Sequence, residues 1–150
     1  MPSPMTGACQ CRGVRYEIRA EPLAVYACHC TECQRQSGGS FGLSMVVPRE
    51  AVVITQGEPA TWVRTADSGN KMDCLFCPTC GVRLYHLPHA RPNVAIIKPG
   101  TLDGASWLEP VGHIWTRSAQ TWFDIPDEPF NAETQPVDLR EIIAAWKERR

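Results

Sequence analysis

The segment Phe76-Cys77-Pro78-Thr79-Cys80-Gly81 decides how this chain folds, because it brings two thiols to one point within a short turn. Apolar residues on both sides of it indicate a strand, a turn and a second strand. Gly81, directly after the second cysteine, suits a turn whose backbone N–H groups point at the sulfur atoms. Two cysteines at this spacing are a frequent half of a tetrahedral zinc site.

Most of the other cysteines form two further clusters. They are Cys9-Gln10-Cys11 and Cys28-His29-Cys30 with Cys33 close behind, whereas Cys74 stands apart. The seven clustered cysteines match one closed site of four thiolates and one site of three. A zinc ion with three protein ligands keeps a position for water or substrate, which is the arrangement of a catalytic zinc.

Two other uses of the cysteines fit the pattern less well. Eight cysteines allow about 105 disulfide connectivities. However, the first residues lack the basic start and apolar core of a secretory signal, and cysteines two residues apart suit metal knuckles. The Cys77/Cys80 pair could be a redox dithiol, but that motif needs a helix N-terminus. We therefore expect free thiols and a cytoplasmic location.

Composition narrows the class of protein. We expect a single domain over residues 1–150, with its core at about 5–125, because 43% of the residues are hydrophobic. The net charge is −1 and no basic stripe occurs, which argues against a nucleic-acid partner. No apolar run is long enough to span a bilayer. The 13 prolines and 11 glycines are spread along the chain, which favours many short strands.

Periodicity predicts the individual elements. Alternating or β-branched apolar residues predict short strands at 14–18, 41–47, 51–55, 62–65, 71–76, 93–98 and 111–116. A short helix is predicted over 31–36, capped by Thr31. A C-terminal helix over about 138–148 begins at a capping pattern and carries one apolar stripe. That stripe can pack on the sheet or on a second subunit, so a monomer and a homodimer both remain open.

The cysteine clusters, in this order, resemble those of the glutathione-dependent formaldehyde-activating enzyme family. The resemblance covers most of the chain and rests on Gly7–Tyr16, Cys28–Arg35 with Ser37-Gly38, Phe76–Gly81, Gly100–Asp103, His113-Ile114-Trp115 and Trp122. Each cysteine pair alone is common among zinc proteins, but the ordered set is specific. The resemblance implies a mainly β, Mss4-like fold of short antiparallel sheets organised around two zinc sites.

The resemblance also implies which residues hold each zinc ion. The closed structural site would consist of Cys9, Cys11, Cys77 and Cys80. Catalysis would take place at a second zinc held by Cys28, Cys30 and Cys33, whose fourth position is open to water or a thiol. The implied activity is that of a carbon–sulfur lyase that joins glutathione, or a similar thiol, to formaldehyde as S-hydroxymethylglutathione.

Residues near the second cluster are candidates for holding the thiol. Ser37 and Gly38 could offer polar groups to a carboxylate, while Phe41, Trp115 and Trp122 could form the wall of a pocket. Ordinary core packing is the competing interpretation for each aromatic residue.

The histidines have simpler expected roles. Strand alternation should turn His29 away from the metal, toward other residues or solvent. His113 is expected to be a hydrogen-bonded core histidine. His86 and His89 flank a proline and are expected to be exposed.

Cys74 departs from the family pattern and leaves the function open. It is either a small buried residue beside Phe76, or a fourth ligand or resolving thiol at the second zinc. In the latter case the open position would be closed. The alternatives to the enzyme are therefore a non-catalytic zinc protein that binds or carries glutathione, and a purely structural zinc interaction module.

Overall fold

The computed structural model describes residues 4–149 and is mainly β, with two sheets and a C-terminal helix, as the sequence predicts. The strands are β1 (Met5–Ala8), β2 (Arg15–Ile18), β3 (Ala24–Cys28), β4 (Gly42–Pro48), β5 (Val52–Gln56), β6 (Ala60–Thr65), β7 (Lys71–Phe76), β8 (Arg83–Pro88), β9 (Val94–Ile97), β10 (Gly112–Ile114) and β11 (Phe130–Asn131). The two α-helices are α1 (Thr31–Ser37) and α2 (Arg140–Arg149). No helix in this part of the chain is both long and apolar enough to cross a membrane.

The chain divides into two compact units, each made of two separate stretches of sequence. The first unit runs up to Pro22 and continues over Val46–Trp107. The second unit consists of Leu23–Met45 and the chain from Leu108 onward. The single domain over 1–150 therefore stays a prediction.

The first unit contains antiparallel strands in two arrangements. Strand β2 pairs with β1 and β5, and Tyr16 at its centre is buried with its hydroxyl 2.6 Å from Thr101 Oγ1. Strands β6, β7, β8 and β9 form an antiparallel ladder in that order. One row across this ladder consists of Trp62, Cys74, His86 and Ile96.

The second unit departs from the predicted antiparallel pairing. Strand β10 runs parallel to both β3 and β11. Parallel neighbours need a long connection rather than a hairpin, and β3 and β10 are distant in sequence. Helix α2 packs on β3 and buries Ile142 and Trp146, in agreement with the predicted apolar stripe.

The cap of α1 differs from the prediction, whereas the predicted capping pattern at the start of α2 is confirmed. The cap of α1 is Cys30, not Thr31, because the Cys30 sulfur accepts a hydrogen bond from the Cys33 N–H at 3.3 Å. Helix α2 begins at Arg140, whose N–H donates to the Asp138 carboxylate at 2.8 Å. The carboxylate thus meets an N–H that has no partner within the helix.

His86 is buried, so its predicted exposure is wrong. It lies inside β8, which continues to Pro88 and ends there, whereas the prediction placed a turn before the proline. Its Nε2 accepts a hydrogen bond from the Arg83 guanidinium at 2.8 Å, and burial lowers the pKa of His86 to about 2. His89, after the proline, is exposed as predicted and bonds the Asp73 carboxylate at 2.8 Å.

Cys74 is fully buried in β7, which agrees with the first of its two interpretations. Its sulfur lies 3.8 Å from the Met72 carbonyl oxygen, and burial raises the pKa of its thiol. A buried neutral thiol of this kind behaves as a small apolar side chain.

Gly7 is expected to be indispensable for packing in the first unit. A Cβ atom at this position would overlap the Tyr16 ring and the Thr101 carbonyl. We expect Gly7→Ala to lower the free energy of unfolding by about 1–3 kcal/mol, measured by urea denaturation. Gly100→Ala is the matched control, because a Cβ there meets nothing within 4 Å. Equal stabilities of the two variants would contradict this account.

Candidate metal centres

The first candidate centre lies where two turns of the first unit meet. One turn follows β1 and carries Cys9 and Cys11; the other follows β7 and carries Cys77 and Cys80. In each turn the residue after the second cysteine has a left-handed backbone, with φ of 64° at Arg12 and 80° at Gly81. The two turns therefore share a left-handed residue at this position, although only one has glycine there.

The four sulfur atoms of this centre fit a tetrahedral metal ion. They all lie within 4.8 Å of one another, with 3.6 Å between Cys9 and Cys11 and 3.7 Å between Cys11 and Cys77. A zinc ion with Zn–S bonds of about 2.3 Å requires sulfur atoms about 3.8 Å apart.

Backbone N–H groups point at several of these sulfur atoms. Val14 donates to Cys9 at 3.3 Å, and Thr79 donates to Cys77 at 3.4 Å. Hydrogen bonds from the backbone of Val82 and Cys11 lower the pKa of Cys80 to about 6. Metal ligands must be thiolates, so this donor set suits zinc.

The second candidate centre lies in the second unit and has three sulfur atoms. Cys28 ends β3, Cys30 caps α1 and Cys33 lies in the first turn of α1, and the three sulfur atoms are within 4.8 Å of one another. Hydrogen bonds from Cys28 and Cys33 lower the pKa of Cys30. No fourth histidine, cysteine or carboxylate ligand atom belongs to this group among residues 4–149.

His29, between two of these cysteines, is bonded through its backbone and through Nε2, while its buried Nδ1 has no hydrogen-bond partner among the described residues. It is fully buried, so the part of the prediction that allowed it to face solvent is wrong. Its backbone N–H donates to the Ile114 carbonyl at 2.9 Å, and its Nε2 lies 2.8 Å from Nδ1 of His113. The Gln34 amide donates to the His29 carbonyl at 2.8 Å and to the Ser118 carbonyl at 3.0 Å. His113 is thus the hydrogen-bonded core histidine that the sequence predicts.

Rings pack around this histidine pair, and one of them was missed in the sequence. The Phe41 and Phe123 ring centroids lie 5.0 and 5.5 Å from that of His29. Burial lowers the pKa of both His29 and His113. Trp122 is predicted from the sequence as a possible pocket wall, but Trp122 is 70% exposed and its neighbour Phe123, which was not named, packs on His29. The signal available in the sequence was that Phe123 is an apolar residue next to Trp122. Neighbouring residues in an irregular segment often point to opposite sides, so one of the two could be buried.

Two of the other predicted substrate residues, Ser37 and Gly38, lie at the end of α1. The Ser37 hydroxyl donates to the Phe41 carbonyl and accepts from the Gly39 N–H, at 3.2 and 3.1 Å. Gly38 ends α1 in the left-handed region, and its N–H donates to the Gln34 carbonyl at 2.9 Å. Both polar groups are thus engaged in the turn after α1.

Trp115, the remaining predicted substrate residue, is half-buried. Its indole N–H donates to Gln135 at 2.9 Å, and the Arg117 guanidinium lies 5.6 Å from its ring centroid. Contact of Ser37, Gly38, Phe41 and Trp115 with a ligand stays a prediction.

The two centres should differ in their response to loss of a ligand. We expect two zinc ions per wild-type chain, measured by elemental analysis with circular dichroism as the fold readout. Cys80→Ser should lose one zinc ion and unfold the first unit, because a structural zinc contributes folding energy directly. Cys33→Ser should lose one zinc ion with the sheets intact. Cys74→Ser is the control and should keep both; loss of zinc from it would contradict the assignment.

His113 is expected to orient the second centre through His29. In His113→Phe the ring packing is retained but Nε2 of His29 loses its partner. We expect the second zinc to bind about 10-fold more weakly, measured by competition with a chromophoric chelator. His89→Asn, which removes a surface histidine, should leave both affinities unchanged. An unaltered second affinity in His113→Phe would contradict this role.

Comparisons with known proteins agree with the geometry. The sequence model of the family described as "Glutathione-dependent formaldehyde-activating enzyme" matches residues 4–118. A Penicillium rubens protein named "Putative glutathione-dependent formaldehyde-activating enzyme" is 28% identical over 107 residues, which are 68% of this chain and 55% of the relative. The chain thus spans about half the length of this curated relative.

A solved structure shares the fold. The crystal structure of a Rhodobacter sphaeroides protein aligns with a TM-score of 0.54 at 21% identity, over 71% of this chain and 92% of that one. Because the family match extends over more than three quarters of the sequence and includes all eight cysteines, the chain belongs to the glutathione-dependent formaldehyde-activating enzyme family.

Proposed function

We propose that this protein is a zinc-dependent carbon–sulfur lyase-type enzyme that binds glutathione, or a similar thiol, and forms its formaldehyde adduct. The observation that supports this proposal is the cluster of Cys28, Cys30 and Cys33, for which the described part of the chain offers no fourth ligand. The Penicillium relative bears this activity in its name, and the proposal extends it to this chain.

The three cysteines would hold the second zinc ion, and the local backbone favours the thiolate form of one of them, Cys30. Backbone N–H groups of Cys33 and Glu32 bond the Cys30 sulfur, which stabilises its negative charge. When bound, zinc would supply the positive centre that keeps an added thiol deprotonated, the form that attacks an aldehyde carbon. The new bond joins the thiol sulfur to the formaldehyde carbon, and the thiol proton ends on the new hydroxyl oxygen.

The residues around the cluster would position the thiol and limit water. His29, Phe41 and Phe123 form an apolar layer in the second unit, next to the cysteine-bearing turn. The exposed Trp122 ring stands edge-on to Phe123 at 6.0 Å and offers a surface to the rest of a tripeptide. Correct placement of two reactants can itself accelerate their addition.

Titration of glutathione into the protein loaded with two zinc ions tests this proposal first. We expect saturable heat that disappears in Cys30→Ser, because that variant loses a ligand of the second zinc. Cys74→Ser, which retains all seven clustered cysteines, is the matched control and should bind normally. Absence of binding to the fully loaded wild type would contradict the proposal.

The rate of adduct formation then separates an enzyme from a carrier. Glutathione and formaldehyde combine in water without a catalyst, so the comparison is with the uncatalysed rate. We expect the loaded wild type to exceed that rate and Cys30→Ser to match it. Binding without acceleration would favour the alternative of a non-catalytic glutathione carrier.

All eight cysteines are free thiols in the structure, and we place the protein in the reducing cytoplasm.

A further inference from the structure

Strand β6 in the first unit is a sheet edge that faces solvent. It pairs with β7 on one side and, within residues 4–149, with no strand on the other. Its two central side chains are unusually exposed for large apolar residues, at 52% for Trp62 and 48% for Val63. The edge therefore combines a strand side that no neighbouring strand covers, within the described residues, with an apolar surface.

This edge lacks the features that usually keep sheet edges apart. Such features are short length, prolines, bulges and several charges. Strand β6 has six residues, no proline, one charged residue and an uninterrupted register with β7. A regular edge of this kind is a template for another strand.

We propose that β6 pairs antiparallel with β6 of a second copy of this chain, forming a homodimer through a continuous sheet. The inference is independent of the proposed function. A second copy fits this edge because β6 is complementary to itself in one register.

Symmetry restricts the possible registers. A two-fold axis between two antiparallel strands lies perpendicular to the sheet, so residues opposite each other must point to the same face. Side chains alternate between the two faces of a strand. The axis must therefore pass beside one residue, which then lies opposite the same residue of the second copy. The candidates in the middle of β6 are Trp62, Val63 and Arg64.

Only the register centred on Val63 avoids a penalty. Centring on Arg64 would place two like charges directly opposite each other, which is destabilising. Centring on Trp62 would bring Pro59, which has no N–H, into the ladder opposite Thr65. With Val63 at the centre, strand Ala60–Thr65 pairs over nearly its whole length.

The cross-strand contacts in this register are all favourable. Val63 meets Val63 of the second copy, so two β-branched apolar side chains can pack together. Thr61 meets Thr65 on either side of the axis, which is a stabilising pair type. Trp62 meets Arg64 of the second copy, which is a cation–π pair. The Trp62 ring already accepts a guanidinium in its own chain, since that of Arg83 lies 5.6 Å from its centroid.

Charge complementation at position 63 tests both the dimer and its register. Sedimentation equilibrium of the zinc-loaded wild type should give twice the chain mass of 16.7 kDa. Val63→Lys and Val63→Glu should each weaken self-association at least about tenfold, because like charges face each other at the axis. An equimolar mixture of the two variants should regain the dimer, since a lysine then faces a glutamate.

Two controls separate this effect from misfolding. Val137→Lys adds the same charge at a side chain that is 98% exposed and outside the strands, and it should remain dimeric. All variants should keep the wild-type circular dichroism and two zinc ions. A wild type that sediments at 16.7 kDa, or position-63 variants that stay dimeric, would overturn the proposal. Failure of the mixture to associate would overturn the Val63-centred register.

Discussion

Sulfur atoms that share a tetrahedral zinc ion must lie about 3.8 Å apart, and this requirement fixes how β1 and β7 end. Both strands lead into a turn whose residue after the second cysteine is left-handed. Glycine adopts that conformation freely, whereas Arg12 pays roughly 1–2 kcal/mol for it. The Arg12 side chain bonds the Gln10 carbonyl, and the energy of a bound metal is large enough to maintain the strained turn.

The two centres differ in the number of cysteines and in how the backbone holds them. In the first centre, the four cysteines on two turns would use the whole coordination shell of a zinc ion, which is the arrangement of a structural site. In the second centre, Cys30 has two tasks, since its sulfur belongs to the ligand group and also caps α1. A sulfur atom bonded to the helix N–H groups cannot rotate freely. Three thiolate ligands would occupy three positions around a zinc ion and leave the fourth for water or a thiol.

The sequence predicted the local features of this protein well. Cysteine pairs two or three residues apart bring sulfur atoms together whatever the rest of the chain does, and several strands, such as β2 and β5, follow from the alternating or β-branched residues in the sequence. The failures concern contacts made by distant residues. His86 is buried because β8 continues to Pro88 between two other strands, and Phe123 packs on His29 although Trp122 was the more conspicuous residue. The parallel pairing of β10 could not be inferred either, because no short connection specifies it.

His29 explains why residues near positions 113–120 belong to a centre formed by residues 28–33. Its backbone N–H, its carbonyl and its Nε2 all bond groups that are held by that later segment, either directly or through Gln34. Gln120 in turn donates to the Gln34 side chain at 2.8 Å. A turn bearing two thiolates would otherwise be free to change its angle, and small displacements of ligands alter metal affinity strongly. His113 and the segment up to Gln120 are therefore bonded to the part of the chain that carries Cys28, Cys30 and Cys33.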